Sequence, residues 1–294
     1  MRKTILIGSN PVGACQTRGL QTSQALKKYC SLDAPYVLVN QLSVDIKDTI
    51  IIFVGEPITY CNGVDNLIRL KENNNILIYD IIDNFCFQHT NPLINKELIN
   101  IYQHLDVMLH PNKLSKYQLS SLLPNVEHIF MPHQWDLRNE DVVVYENVNT
   151  NKATYIGGVS GGFQLDTNKV KDYVDVYEAP LDINTYHLQY GVQTSFRKEN
   201  SLEYLYKPCT KLAMASSFGA ILLTSKEPAV VDIVGDAYEF YIDSELDLIN
   251  QIEKIRSMST DEVNYYRYNT KYIKEYLSPK QNAYRYNNII KKYV

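Results

Sequence analysis

The 294-residue chain has one tryptophan and five cysteines, and no two of the cysteines stand in a C-x-x-C spacing. Cys15, Cys30, Cys61, Cys86 and Cys209 are odd in number and widely scattered. That pattern argues against a zinc knuckle or a disulfide framework and fits reduced thiols in a cytoplasm. No stretch approaches the roughly 20 apolar residues of a spanning helix. The apolar run in MRKTILIGSN is too short for a signal peptide, so a soluble, cytoplasmic protein is expected. A basic block is missing too: the formal net charge is −4, and only the extreme end, IIKKYV, is locally positive. A chain living on nucleic acid usually carries a basic stripe; the acidic balance disfavours that partner without removing a local patch. The six histidines form neither H-x-x-x-H nor H-E-x-x-H, and no D-x-D occurs. No zinc site and no carboxylate pair for a divalent cation is indicated. The 24 tyrosines, like the abundant Asn, Ile and Lys, have AT-rich codons, which explain them more simply than an aromatic binding surface does.

What is present is a rhythm. Apolar, β-branched runs recur as TILIG (4–8), YVLVN (36–40), TIIIFVG (49–55), NILIYDIID (75–83), DVMLH (106–110) and EHIFMP (127–132). Each is apolar nearly throughout, as strands covered on both faces are. Helical spacing fills the gaps at 15–30 and 92–105. Alternating strands and helices predict a parallel, doubly wound α/β sheet, a Rossmann-like domain over residues 1–135. The polar segment 136–152 reads as an interdomain connection. The rhythm then restarts with strands expected in ATYIGG (153–158), YVDVYEA (173–179), TYHLQYG (185–191), GAILLTS (219–225) and YEFYI (238–242). Helices are expected over 208–218, 227–234 and 244–257. A second Rossmann-like domain over 153–275 follows, and then a helical segment over 276–294 that could pack back on the first domain. Two such domains would face each other across a cleft, with ligands in the loops that follow strands.

Three loops qualify. In GSNPVGACQTRG (8–19), Gly13 allows close backbone approach and Arg18 could reach an anion; a tight strand-to-helix turn explains it equally. YIGGVSGG (155–162) holds four glycines in six positions, Gly157 and Gly158 first. That suits a backbone lying against a phosphate or sugar. Neither loop is G-x-G-x-x-G, so the dinucleotide fingerprint is absent. The third is KPCTKLAMASSFGA (207–220). Pro208 fits the first helical position, which would set Lys207 and Lys211 on one side of the opening turn. Two cations are unwelcome at the positive end of a helix dipole unless an anion offsets them. Exposed amide hydrogens and two ammonium groups together suit a diphosphate. For proton transfer, Asp80, Asp83, His89, His133 and Asp136 fall near expected strand ends. Asp80 and Asp83, three apart, cannot point the same way from a regular strand.

Residues 206–241, YKPCTKLAMASSFGAILLTSKEPAVVDIVGDAYEFY, together with IYDIIDN (78–84) and MPHQWDLR (131–138), resemble the GT-B fold glycosyltransferases. The likeness is to a group of small bacterial and viral members with a K-P-x-T-K helix. It implies a nucleoside-diphosphate sugar, of UDP-sugar type, as co-substrate on the second domain; no cofactor is expected, and with no D-x-D the two lysines and a helix end would neutralise the diphosphate without a metal. Lys207, Thr210 and Lys211 would hold the phosphates, and Gly157 and Gly158 would line them. Pro228 to Asp232 would border the sugar or nucleoside. His133 and Asp136, with His89 and Asp83, would be the catalytic candidates; Gly13 and Arg18 would lie on the acceptor side. The resemblance implies a retaining transfer to a glycan or other hydroxyl acceptor. One departure stands out. The E-x7-E carboxylates of many retaining members are replaced by Tyr206 and Met214, which leaves a non-catalytic nucleotide-sugar-binding protein as the rival reading. A glycosyltransferase of hydroxymethylated DNA bases and a sugar-nucleotide epimerase are further alternatives.

Overall fold

The computed structural model describes residues 2–9, 15–82, 92–141, 148–157, 163–177, 190–199 and 201–294, without the side chains of 58, 92–95 and 203. They form two compact units. Met1–Leu137, Tyr206–Pro208 and Ser278–Val294 make the first; Arg138–Leu205 and Cys209–Leu277 make the second.

The first unit is built on a six-stranded parallel sheet: β1 (Lys3–Gly8), β2 (Tyr36–Leu38), β3 (Thr49–Val54), β4 (Ile76–Asp80), β5 (Val107–His110) and β6 (Glu127–Phe130), in the order β2-β1-β3-β4-β5-β6. Successive side chains of a strand point to opposite faces, and β3 shows why its run is apolar throughout. Ile51 and Phe53 join a core with Leu67, Leu70, Tyr79 and Met108. Ile50, Ile52 and Val54 join another with Ala25, Leu26, Tyr286 and Ile290. Helices cover both faces. A π-helical turn, Gln16–Leu20, leads into α1 (Gln21–Cys30); α2 (Pro57–Cys61), α3 (Val64–Glu72), α4 (Pro92–Tyr102) and α5 (Lys113–Leu122) follow.

The second unit carries a four-stranded parallel sheet of β7 (Ala153–Ile156), β8 (Val174–Tyr177), β9 (Val192–Ser195) and β10 (Ile221–Thr224), ordered β10-β9-β7-β8. Its helices are α6 (Thr167–Val170), α7 (Leu202–Tyr206), α8 (Thr210–Ser217), α9 (Pro228–Val234), α10 (Glu245–Ser257) and α11 (Thr260–Tyr276). The expected α/β class with two parallel sheets and a helical C-terminus is what the chain forms. Two strand expectations change. Within the described part of 185–191 no strand runs; the strand is Val192–Ser195 instead, and 185–189 lie outside the described residues. YEFYI contributes a single bridge, Thr224 to Tyr241, and no strand. Three tyrosine- and phenylalanine-ring contacts around Tyr238 and Phe240 hold that segment as packing instead.

Pro279 breaks the tail as its chemistry demands. Leu277 ends α11, Ser278 accepts a bond from the amide of Gln281 at 3.1 Å, and Pro279 opens the last helix, α12 (Pro279–Ile290). α12 packs on α1, with Ala283, Tyr286, Ile289 and Ile290 buried in the first unit.

Candidate functional site

The carboxyl end of β7 is where the second sheet changes direction, because β8 lies on one side of it and β9 on the other. Open parallel sheets bind ligands at such a place. β7 ends at Ile156, and Gly157 follows with φ +146°, a backbone shape that side-chain-bearing residues rarely adopt. A Cβ there would sit 2.7 Å from Lys211 Nζ and 3.1 Å from the Tyr155 hydroxyl. The conformation favours glycine, and the two closest atoms are the ends of the Lys211 and Tyr155 side chains, which could give way. Lys211 Nζ donates to the carbonyl of Ile156 and lies 4.8 Å from the centroid of the Tyr155 ring. Burial, reinforced by the nearby Arg197 cation, pushes the Lys211 ammonium down to about 8. It stays charged at pH 7, at a cost.

The Arg197 guanidinium and the Glu227 carboxylate form a buried ion pair through Nη1 and Oε2. Ser225 ties the pair together: its hydroxyl donates to Glu227 Oε1 at 2.9 Å and accepts from the Arg197 amide at 3.0 Å. Burial raises the Glu227 carboxyl, against the lowering effects of Arg197 and Ser225. The Tyr155 phenol, pushed up to about 12 chiefly by burial, is influenced by both Arg197 and Glu227. Two cations and one carboxylate thus surround Tyr155 at the end of β7. Among the described residues named here, two cations face one carboxylate in a buried, poorly hydrated place, which suits an oxyanion because charge-assisted bonds strengthen where water is scarce.

Of the residues expected to hold phosphate, Gly157 and Lys211 meet here. Thr210 is the first residue of α8, next to Lys211. The helix itself begins two residues later than expected. Cys209 is its N-cap, with φ −74° and ψ 40°, so Pro208 lies outside it and Lys207 lies further upstream, in the segment grouped with the first unit. The pairing of Lys207 and Lys211 on one opening turn is thereby corrected. The cation that accompanies Lys211 is Arg197, which the sequence reading missed. Asp232 sits within α9, half-buried. Gly158 lies outside the described residues, as do Gly13, Asp83 and His89.

Arg18 also needs correction. Its side chain is 1% exposed and committed inward. Nε donates to Asp80 Oδ2 at 3.0 Å, Nη2 pairs with Oδ1, and Nη1 donates to the Pro132 carbonyl at 2.9 Å. Tyr286 of α12 donates to the same Asp80. This guanidinium holds the first unit together and is not presented to an acceptor-side anion. His133 and Asp136 are buried in the same unit. Asp136 Oδ1 accepts from Gln21 Nε2 at 2.8 Å. Burial, then the Arg18 cation, pushes the His133 imidazole down to about 3. A histidine that far below neutrality has no proton to give as an imidazolium at pH 7 and is a poor general base there.

A second histidine array in this unit has its protons fixed by geometry. His128 Nε2 lies 3.0 Å from the Leu123 carbonyl and must donate to it, so its Nδ1 accepts from His110 Nε2 at 2.8 Å. His110 Nδ1, now an acceptor, takes the Ser115 hydroxyl proton at 3.1 Å. Both rings are neutral, and burial lowers both below the usual histidine value. With His133, three imidazoles resist protonation in the fold but take up protons near pH 6.5 when unfolded. The unfolded chain then binds more protons, so stability is full above pH 6.5 and falls as the pH drops toward 3. His133 alone contributes a loss of about 1.4 kcal/mol per pH unit across that window. Urea midpoints measured at pH 7 and 4.5 should differ less for His133→Phe than for the unaltered protein.

Among the described residues, no three of His, Cys, Asp and Glu gather as a metal cluster, and no helix is long and apolar enough to cross a membrane. No protein-family model matches the chain, and no curated protein matches it in sequence. Among solved structures, the chain is similar to Anabaena Alr3699/HepE in complex with UDP, at 10% identity and a TM-score of 0.70, over 99% of this chain and 100% of that one. The complex of the same protein with UDP and glucose matches at 9% identity and 0.67, over 99% and 100%. A glycosyltransferase from Rickettsia africae ESF-5 matches at 10% identity and 0.61, over 99% and 98%. Likeness at these identities is likeness of architecture: the chain has the fold of the GT-B glycosyltransferases.

Proposed function

We propose that the protein is a glycosyltransferase that takes a sugar from a UDP-sugar to a hydroxyl acceptor, with the diphosphate held on the second unit. The observation that carries this reading is the buried cation cluster at the end of β7. There the Lys211 ammonium stands over Tyr155 against Gly157, whose backbone conformation disfavours any other residue. Charge on the leaving diphosphate grows as the bond to the sugar breaks, so a fixed cation stabilises the transition state more than the ground state. Lys211 and Arg197 supply that charge from the chain itself, and the N-terminal amides of α8 add to it. The fold and the UDP-bound Anabaena protein support the choice of donor.

On this reading, UDP and a UDP-sugar raise the melting temperature by mass action, while UMP, which lacks the second phosphate, does so far less. Transfer to water or to an acceptor, followed as release of UDP, proceeds unchanged in EDTA, since no step is assigned to a divalent cation. Proton NMR of the product should show retention at the anomeric carbon. Equal stabilisation by UMP and UDP would remove the diphosphate from the argument, and loss of turnover in EDTA would remove metal independence. A second reading is a binding protein without turnover. It is favoured by Tyr206 and Met214 standing where carboxylates are expected, and by the depressed His133. It predicts UDP-sugar binding with no release of UDP across a panel of glycan acceptors.

A further inference from the structure

The cation cluster at the end of β7 contains a carboxylate, whose charge opposes the binding of an anion. Glu227 is 1% exposed and its partner Arg197 is 9% exposed; both influence Tyr155, the ring over which Lys211 stands. Without Glu227, the Arg197 and Lys211 cations would repel each other in a buried place with little water to screen them, and the long arginine would swing outward. Glu227 sits at the N-cap of α9, where backbone bonds from Val230 and Val231 to its carbonyl fix its main chain. Ser225 fixes one oxygen of its carboxylate. The other oxygen faces Arg197. The chain therefore spends a buried carboxylate, locked at both ends, on one guanidinium.

We propose that Glu227 is a positioning residue: it holds the Arg197 guanidinium beside Lys211, so that both cations are already in place when the diphosphate arrives. The inference rests on the donor-site reading above. A guanidinium is a planar fork whose charge is spread over three nitrogens, so a carboxylate that fixes its orientation also fixes where that charge stands. Preorganisation of this kind lowers the cost of ordering the side chain on binding.

The test is a double-mutant cycle with UDP as the probe, read by calorimetry on the full chain. Arg197→Met should weaken UDP binding by about 30-fold and Glu227→Gln by about tenfold, the scale of charge-assisted bonds. The double variant should bind no more weakly than Arg197→Met alone, because Glu227 acts only through Arg197. A general structural defect would instead make the losses multiply. Ser225→Ala, which frees one end of the carboxylate and leaves every charge in place, should weaken UDP binding in the same direction by a smaller factor, and it serves if Glu227→Gln does not fold. Wild-type affinity or tighter binding in Glu227→Gln would overturn the inference, since the carboxylate would then be indifferent or a competitor. Multiplying losses would overturn it too. If neither Arg197→Met nor Lys211→Met changes UDP affinity, or if UDP does not bind the unaltered protein, the donor-site reading itself falls and takes this inference with it.

Discussion

Lys211→Met is expected to weaken UDP binding by about 10- to 100-fold, the range of a lost charge-assisted bond, and at the same time to make the protein more stable. The two effects share one cause. Burial and Arg197 lower the Lys211 ammonium from 10.5 to about 8. A lowered lysine means that the fold prefers the neutral amine, so an ammonium kept there at pH 7 opposes folding. The shift corresponds to about 3 kcal/mol at most, and partial exposure reduces this to roughly 2 kcal/mol. Methionine fills a similar volume, needs no counter-charge and packs its sulfur on the Tyr155 ring. Stability gained should appear as a rise of roughly 5 °C in melting temperature. The pH dependence has a definite sign. The penalty is full below pH 8 and disappears as the pH rises toward 10.5, so the stability advantage of the variant should shrink over that interval. On the donor-site reading, the fold keeps this destabilising cation because a ligand needs it. A variant that lost stability while still binding UDP would show the ammonium to be a structural donor to the Ile156 carbonyl and nothing more.

The largest loss of stability is expected from Arg18→Met. That substitution leaves the Asp80 carboxylate, fully buried, with its bond from Tyr286 but without its counter-charge. Breaking one side of a buried ion pair costs about 3–5 kcal/mol, a large fraction of a typical domain's stability. The consequence is also local. Asp80 joins β4 to α12 through Tyr286, and the Pro132 carbonyl joins Arg18 to α12 through Asn282 Nδ2 at 3.1 Å. Hydrogen exchange should therefore show α12 opening first, with its amides losing protection before those of β3. Uniform loss of protection across the first unit, with α12 no worse than β3, would mean that the apolar contacts of Tyr286, Ile289 and Ile290 hold the helix without the polar centre.

The sheet frameworks were legible because a strand covered on both faces has nowhere to put a polar side chain; TIIIFVG announces β3 without help. β9 was illegible for the opposite reason. Gln193, Thr194 and Ser195 are buried polar residues, so this inner strand of the second sheet reads as a loop and the expected strand falls on the tyrosine-rich run before it. Gly157 and Lys211, which the structure brings together, stand out in the sequence because their oddity is local: a crowded set of glycines, and a lysine in a turn that disfavours it. Arg197 and Glu227 could not. They lie 30 positions apart, each inside a short charged stretch, FRKEN and SKEP, that looks like a solvated loop until the strands bring the two together. Arg18 was misread by the same blindness. Its partner Asp80 is 62 positions away, and nothing near Arg18 in sequence signals that the guanidinium is already occupied. Pro208 misled in a smaller way: a residue suited to the first helical position also suits the approach to a helix, and Cys209 intervenes.

The most direct measurement is the number of protons taken up when UDP binds at pH 8, obtained by calorimetry in two buffers of different ionisation enthalpy. An ammonium that titrates near 8 is about half protonated there and becomes fully so when a diphosphate settles on it. The account predicts uptake of about half a proton per UDP by the unaltered protein, falling to none in Lys211→Met. Binding without proton uptake, or uptake that survives the substitution, would contradict it.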